Sequence, residues 1–470
     1  MSQAPATEPV RVAIVGSGPA GFYAVAALRK QRDFAFDIDM FDRLPVPFGL
    51  IRAGVAPDHQ KDKTVTRNFD RLAREPGFRF FGGVEYGRHL HLQDLRRHYQ
   101  LVVFCTGAQT DRRLGIPGED LAGSHSATEF VAWYNGHPDF ADRRFDLSCA
   151  SVAVIGLGNV AVDVARMLCK SAAELAATDM ADYAIDALGR SGVREVCMLG
   201  RRGPAQAAFS PSEIQELGAL AEAEVAVPAD EARVDAESQA DLDRDADRNA
   251  QKNVQAIQAF AEAFAKQSQP ARRKRLTLRF LVSPIELLGD DQGRVRALRL
   301  ARNRMVRGAD GLLRPEPTGE IEELPAGLVL RSVGYRGVAL PGLPFDEARG
   351  VIRNVHGRVL VADDRPLTGV YTAGWIKRGP TGVIGTNKTD ALETVTGMVD
   401  DLRAGRVNRP EQPDPDAVVA LLRQRGVRVV SYPDWLAIDE HEQAMGARAG
   451  RPRVKLTARE AMLALLDRER

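Results

Sequence analysis

The sequence predicts an α/β protein built of two similar units, and two observations carry that reading. One pattern occurs twice at long range: RVAIVGSGPAGFYAVAALRK (11–30) is matched in kind by SVAVIGLGNVAVDVARMLCK (151–170). Each is a short β-branched run, a Gly-x-Gly turn and a stretch with helical apolar spacing. The second observation is the segment 371–402, which begins as a strand and passes through a loop with four glycines into a helix expected near Lys388. So much glycine lets backbone approach a flat ligand closely, because no Cβ intervenes. The chain is expected to return to its first unit there, making that unit discontinuous. Length alone, 470 residues, suggests about three units at about 150 residues each. The paired pattern reduces this to two Rossmann-like domains, residues 1–110 with 331–470 and residues 111–330.

The elements follow in order. In the first helix Phe22, Val25, Ala26 and Leu28 can share a face; in the second Val160, Val164, Met167 and Leu168 can. Further short buried strands are expected at Ile38–Asp42, Leu101–Cys105, Glu195–Leu199, Leu276–Ser283, Val295–Leu300 and Leu328–Val333. Residues 229–267 read as one or two charged, solvated helices, with Asp241, Arg244, Asp245 and Arg248 at i, i+3 and i+4 spacings. The stretch ARRKR (271–275) reads as a surface loop leading into a strand, with docking of an acidic partner as the alternative.

Composition excludes several classes. Lys and Arg number 64 against 63 Asp and Glu, a balance that disfavours generic nucleic-acid binding. Cys105, Cys149, Cys169 and Cys197 are scattered with no C-x-x-C pair. That excludes a disulfide framework, a zinc ribbon, a cysteine-ligated cluster and a thioredoxin-like dithiol. The opening MSQAPATEPV resembles neither a signal peptide nor a presequence, and no apolar run approaches the ~20 residues of a membrane span. A cytoplasmic protein is the expectation. No metal site is expected either: His89, His91 and His98 lie in a polar stretch and read as surface histidines.

The first motif is Gly16, Gly18 and Gly21 in GSGPAG. Gly16 makes the tight turn, Gly18 admits a pyrophosphate to the helix N-terminal amides, and Gly21 lets helix pack on strand. Asp42 lies 21 residues beyond Gly21, at the end of a strand, where an acid can accept from both hydroxyls of an adenosine ribose. The second motif, Gly156, Gly158 and Ala161 in GLGNVA, has no such acid. Its following strand, Glu195–Leu199, runs into Gly200, Arg201 and Arg202. Two guanidiniums there suit a 2′-phosphate, which an acid would repel, so NADP rather than NAD is expected. FAD on the acidic site and NADPH on the arginine site describe a flavin-dependent pyridine-nucleotide reductase.

Several longer strings are more specific: PVPFGLIRAGVAPDH (45–59), GLGNVAVDVAR (156–166), GRRGPAQAAFSPSEIQEL (200–217), RSVGYRGV (331–338) and GWIKRGPTGVIGTNK (374–388). Together they resemble the adrenodoxin reductase family of ferredoxin–NADP+ reductases, most of all its mycobacterial-type members. The tail RPRVKL (451–456) resembles the family's C-terminus. The resemblance implies a glutathione/adrenodoxin-reductase-like fold without redox cysteines, and an NADPH:ferredoxin oxidoreductase activity. It implies that Gly16, Gly18, Ala20, Gly21, Asp42, Leu50 and Val84 surround FAD, with Trp375, Gly382, Val383 and Ile384 against the flavin ring. It implies that Arg112, Leu157, Gly158, Asn159, Val160, Arg201, Arg202, Glu213 and Gly382 contact NADPH. His59, preceded by Asp58, and Glu213 match positions near the flavin–nicotinamide junction, where such a pair can hold the carboxamide and relay protons. The implied acceptor is a ferredoxin or similar small acidic iron–sulfur protein. Its docking cations are not aligned through 229–275; Arg244, Arg248 and the 272–275 cluster are the candidates.

Two alternatives share the cofactors. One is the NADPH-oxidising flavin subunit of a larger synthase or dehydrogenase, as in glutamate synthase small-subunit relatives, whose cysteine-rich N-terminal region has no counterpart here. The other is a non-catalytic nucleotide-binding flavoprotein. Arg201, Arg202, Glu213 and His59 together argue against it.

Overall fold

The computed structural model describes residues 8–266 and 272–468. Residues 1–7 of the opening string, Gln267 and Ala271 lie outside them. The chain forms two compact units: Met1–Thr110 with Gly334–Ala449 and Arg453–Arg470, and Asp111–Val333 with Gly450–Pro452.

The first unit is organised by a seven-stranded sheet. Its strands run, edge to edge, Asn354–Val355, Arg358–Leu360, Pro366–Thr372, Leu101–Phe104, Val10–Val15, Phe36–Asp42 and Phe78–Gly82. The last five pair in parallel. Every residue of Val10–Val15 is buried, as expected of a central parallel strand covered on both faces. Its polar residue is enclosed too: Arg11 is buried against the buried Asp39 at 2.7 Å, so the strand has no solvent face. The helix Pro19–Leu28 follows, with proline in its first turn, where the missing N–H costs nothing. Ala26 is only half-buried, while Phe22, Val25 and Leu28 are fully enclosed. The helix Thr386–Arg403 lies along it.

That long helix begins two residues before Lys388. A separate turn of helix, Trp375–Arg378, precedes it, bracketed by Gly374 at φ +80° and Gly379 at φ +91°. Both glycines adopt backbone that other residues rarely take.

The second unit carries a six-stranded, wholly parallel sheet. Its order is Ser124–Ser126, Leu328–Arg331, Ser151–Ile155, Glu195–Leu199, Lys274–Arg279 and Ala223–Ala226. The long gap between second glycine turn and arginine strand is filled by helices Asn159–Cys169, Ala172–Ala176 and Asp182–Gly189.

A three-stranded antiparallel sheet, Val282–Gly289, Val295–Arg307 and Leu313–Pro325, completes the unit. It revises two expectations and adds a strand the sequence does not suggest. The strand expected over Leu276–Ser283 is two strands in two sheets, parted at Leu281, whose φ is +56°. The strand expected over Val295–Leu300 continues to Arg307, and consecutive buried residues at Ala297–Leu298 and Leu300–Ala301 break its alternation. Leu313–Pro325 escapes a hydrophobic-pattern reading because it is an exposed edge strand rich in glutamate and proline.

Residues 229–267 contain two helices, Ala236–Asp245 and Arg248–Ala265. The second is not merely solvated: Asn253, Val254, Ile257 and Ala261 are buried, and Asn253 Nδ2 donates to the Phe209 carbonyl at 2.8 Å. Among the described residues no helix is long and apolar enough to cross a membrane.

Candidate functional site

The two glycine turns are built alike. Gly16 has φ +108°, and a Cβ on it would lie 2.5 Å from the Cys105 carbonyl oxygen. Gly156 has φ +134°, and its Cβ would lie 2.2 Å from the Ser332 carbonyl oxygen. Each first glycine is thus fixed both by conformation and by the strand end packed behind it. A Cβ on Gly21 would sit 2.3 Å from the Gly16 oxygen, whereas Gly18 and Gly158 would meet nothing within 4 Å. The middle position of each turn therefore opens onto free space at the head of a helix, Pro19–Leu28 or Asn159–Cys169. This is the geometry that lets a pyrophosphate approach helix N-terminal amides, so both turns fit a dinucleotide.

Asp42 ends its strand beside the first turn and is already at work in the fold. Its Oδ2 accepts from the Ser17 amide at 2.9 Å and the Ser17 hydroxyl at 2.5 Å, and its Oδ1 accepts from the Leu44 amide at 2.9 Å. A carboxylate has about four acceptor positions, so these bonds orient it and leave capacity for a ribose. Ser17 was not singled out from sequence; its proximity to Asp42 is visible only once strand and turn are adjacent.

Around this turn lie most of the other residues expected at FAD. Ala20 and Val84 are buried, Leu50 is half-buried, and the Val84 amide donates to the Asp42 carbonyl at 2.8 Å. A Cβ on Gly374 would come within 2.5 Å of the Ala20 Cβ, so the late glycine loop meets the first helix here. Trp375 donates through Nε1 to the Thr381 carbonyl at 3.2 Å, and its ring lies 5.3 Å from that of Tyr335. Gly382 has φ +78°, Val383 is 64% exposed, and Ile384 packs on the core. Val383 thus presents an apolar surface beside a glycine whose φ few other residues adopt.

Sequence reading also missed the charge cluster that holds this loop. Asp390 Oδ2 accepts from the Gly374 amide at 2.5 Å, and its Oδ1 faces the buried Lys377 ammonium at 3.3 Å. Lys377 also meets Glu393 at 2.6 Å, and His356 Nδ1 meets the other Glu393 oxygen at 2.7 Å. Asp58 and His59 sit at the start of the short helix Gln60–Lys63, both half-buried, with the His59 amide donating to the Ala56 carbonyl at 3.0 Å.

In the second unit, the Asn159 Oδ1 accepts from the Ser210 amide at 2.8 Å, and the Ala208 amide donates to the Leu157 carbonyl at 2.9 Å. These bonds tie the glycine turn to the segment bearing Glu213, in the first turn of the helix Pro211–Gly218. Val160 is half-buried, and Arg112 is exposed near the unit's beginning.

Arg201 and Arg202 follow the strand Glu195–Leu199 directly, and both are exposed. Their backbone is anchored: the Arg201 carbonyl accepts from Asn303 Nδ2 at 2.9 Å and the Arg202 carbonyl from the Leu281 amide at 3.1 Å. Neither guanidinium forms an ion pair with a carboxylate among the described residues. Burial and the neighbouring Arg201 cation together lower the Arg202 pKa. Two adjacent cations without an acid are arranged for an outside anion.

The histidines expected on the surface divide. His89 Nδ1 accepts from the Glu85 amide and His91 begins the helix Leu92–His98, but His98 is buried and meets the Gln412 carbonyl at 2.9 Å. His89 and His98 are thus each held by a backbone group. All four cysteines are free. Burial pushes the thiol of Cys169 up to about 12 and that of Cys197 up to about 12, while Cys149 rises to about 11.

Comparison with known proteins agrees with this architecture. Residues 10–196 match the pyridine nucleotide-disulphide oxidoreductase family. The NADPH-ferredoxin reductase FprA of Mycobacterium tuberculosis is 44% identical over 458 residues, covering 96% of this chain and 97% of that protein. The mitochondrial NADPH:adrenodoxin oxidoreductase of Arabidopsis thaliana is 40% identical, covering 97% of this chain and 95% of its own. The solved structure of Mycobacterium tuberculosis FprA in complex with NADPH superposes with a TM-score of 0.91 at 42% identity, covering 98% of this chain and all of that one. With both glycine turns in place and relatives matched from end to end, the chain belongs to the family of NADPH-ferredoxin and NADPH:adrenodoxin reductases.

Proposed function

We propose that this protein is an FAD-containing NADPH:ferredoxin oxidoreductase, with FAD on the first unit and NADPH on the second. One observation carries it: two open glycine turns, one beside an oriented carboxylate and the other beside two arginines without acid partners. Bound there, FAD would supply the conversion of a hydride from NADPH into single electrons for an iron–sulfur protein.

The chain's own groups do the rest. Asp42 holds the adenosine ribose, and Gly18 admits the pyrophosphate to the helix Pro19–Leu28. Trp375 and the backbone of Gly382–Ile384 bound the flavin ring, with Leu50, Ala20 and Val84 enclosing the remainder. Arg201 and Arg202 take the 2′-phosphate, the turn Leu157–Val160 takes the pyrophosphate, and Arg112 supplies a further cation. His59, with Asp58, and Glu213 orient the nicotinamide carboxamide and carry the proton that balances flavin charge. Burial raises all four thiols, Cys105 included, and with no C-x-x-C pair in this sequence there is no dithiol relay. Electrons therefore leave directly to a small acidic ferredoxin, in the cytoplasm.

The test is NADPH-dependent reduction of cytochrome c through added ferredoxin. Activity that needs both protein and ferredoxin supports the assignment. Flavin bleaching by NADPH without ferredoxin-dependent cytochrome reduction overturns the acceptor.

A further inference from the structure

The string RPRVKL (451–456) sends two cations back to the cofactor-proximal segment. Arg453 meets Asp439 at 2.6 Å and Glu442 at 3.1 Å, and Lys455 Nζ donates to the Arg52 carbonyl at 3.1 Å. Glu442 is wholly buried. It accepts both terminal nitrogens of Arg52, at 2.7 and 2.5 Å, and the Leu456 amide at 2.8 Å. The Arg52 guanidinium also lies 5.4 Å from the Trp435 ring, which meets Phe48 edge-on at 5.8 Å.

Phe48 is where the constraint ends. Its φ is +81° and that of Gly49 is +50°, two successive residues in a region that a phenylalanine rarely enters. Such backbone persists only when its surroundings fix it. The Phe48 amide donates to the Ser17 carbonyl at 2.9 Å, and a Cβ on Gly49 would lie 3.0 Å from the Gly18 Cα. The strained residues therefore rest on the open glycine of the first turn.

We propose that Glu442, with Arg453 and Lys455, is a positioning cluster by which the C-terminal segment latches Phe48–Ala53 onto the glycine turn and sets how firmly FAD is retained. This rests on reading that turn as the FAD site. A buried ion pair is weak evidence of added stability, because well-packed apolar groups do as well. A bidentate arginine–carboxylate pair does fix geometry, and here it fixes the helix Leu50–Ala53 immediately after the strained pair.

The experiment compares FAD release from the holoenzyme, read by the fluorescence of freed flavin, in wild type, E442Q, E442D and K455M. Binding of 2′,5′-ADP, which reports the second glycine turn, serves as the control. E442Q leaves the Arg52 guanidinium without its carboxylate, while Arg453 keeps Asp439, and is expected to release FAD at least about tenfold faster. K455M loses the hydrogen bond to the Arg52 carbonyl and is expected to release it about threefold faster. E442D, which keeps the charge, moves retention back toward wild type, and 2′,5′-ADP affinity stays constant throughout. Unchanged FAD release in K455M overturns the latch even if E442Q fails to fold. Equal weakening of FAD and 2′,5′-ADP also overturns it, because that is general loosening. Wild type that retains no FAD overturns instead the reading on which the latch rests.

Discussion

Replacing Arg201 and Arg202 together by alanine removes the two cations expected to read the 2′-phosphate. Neither is paired with a carboxylate among the described residues, so no internal salt bridge is lost and the fold is spared. Hydrogen bonds to a charged group contribute about 1.5–3 kcal/mol. Because both side chains are exposed, the lower end applies to each. Two such contacts amount to about 3 kcal/mol, or roughly a hundredfold in kcat/KM for NADPH. The loss should fall mainly on KM, because these contacts are equally present in ground and transition states. NADH lacks the 2′-phosphate, so its kcat/KM should scarcely change. Steady-state kinetics with both nucleotides, beside thermal melts of both proteins, make the comparison. Equal losses with NADPH and NADH would refute the reasoning and assign the arginines another role.

Other outcomes follow from the same geometry. Gly158→Ala places its Cβ in open space, so the melting temperature should hold while NADPH affinity falls by about tenfold or more, as expected where backbone must approach a phosphate. Gly156→Ala drives its Cβ into the Ser332 carbonyl at φ +134° and should destabilise the second unit by about 2–4 kcal/mol, read by chemical denaturation. Burial raises the Asp401 pKa, but hydrogen bonds from Arg358, Arg406 and Tyr371 more than offset it, so the group lies below its ordinary value. Its stabilisation is thus complete above the unfolded value of about 3.9 and is lost as pH falls through the lower folded value. Asp401→Asn should flatten that acid limb of the pH–stability curve. Iodoacetamide at neutral pH should leave NADPH oxidation intact, because burial keeps the thiols protonated; inactivation would implicate a cysteine in electron transfer.

Much of this was legible in the sequence because the features are local. Both glycine turns, their strands, the acid at Asp42 and the arginines at 201 and 202 are set by short-range spacing, and the first glycine of each turn has the positive φ that favours glycine. Features that depend on chain segments meeting were not legible. Ser17 and Leu44 claim Asp42, and Asp390 and Lys377 hold the late glycine loop, through contacts that no periodicity announces. The antiparallel sheet was partly hidden for another reason. Its outer strand, Leu313–Pro325, faces solvent along nearly its whole length, so it carries no apolar alternation to detect. The buried face of Arg248–Ala265 was obscured in turn by the charges on its exposed side.

The central claim is a division of labour: hydride enters from NADPH, and single electrons leave to ferredoxin without help from any thiol. Anaerobic stopped-flow mixing of the holoenzyme with NADPH and then oxidised ferredoxin tests it most directly. The account predicts that one NADPH is consumed per flavin reduced, and that two ferredoxins are reduced as the flavin spectrum returns. Flavin that NADPH does not reduce, or that returns to its oxidised spectrum without reducing ferredoxin, would contradict it.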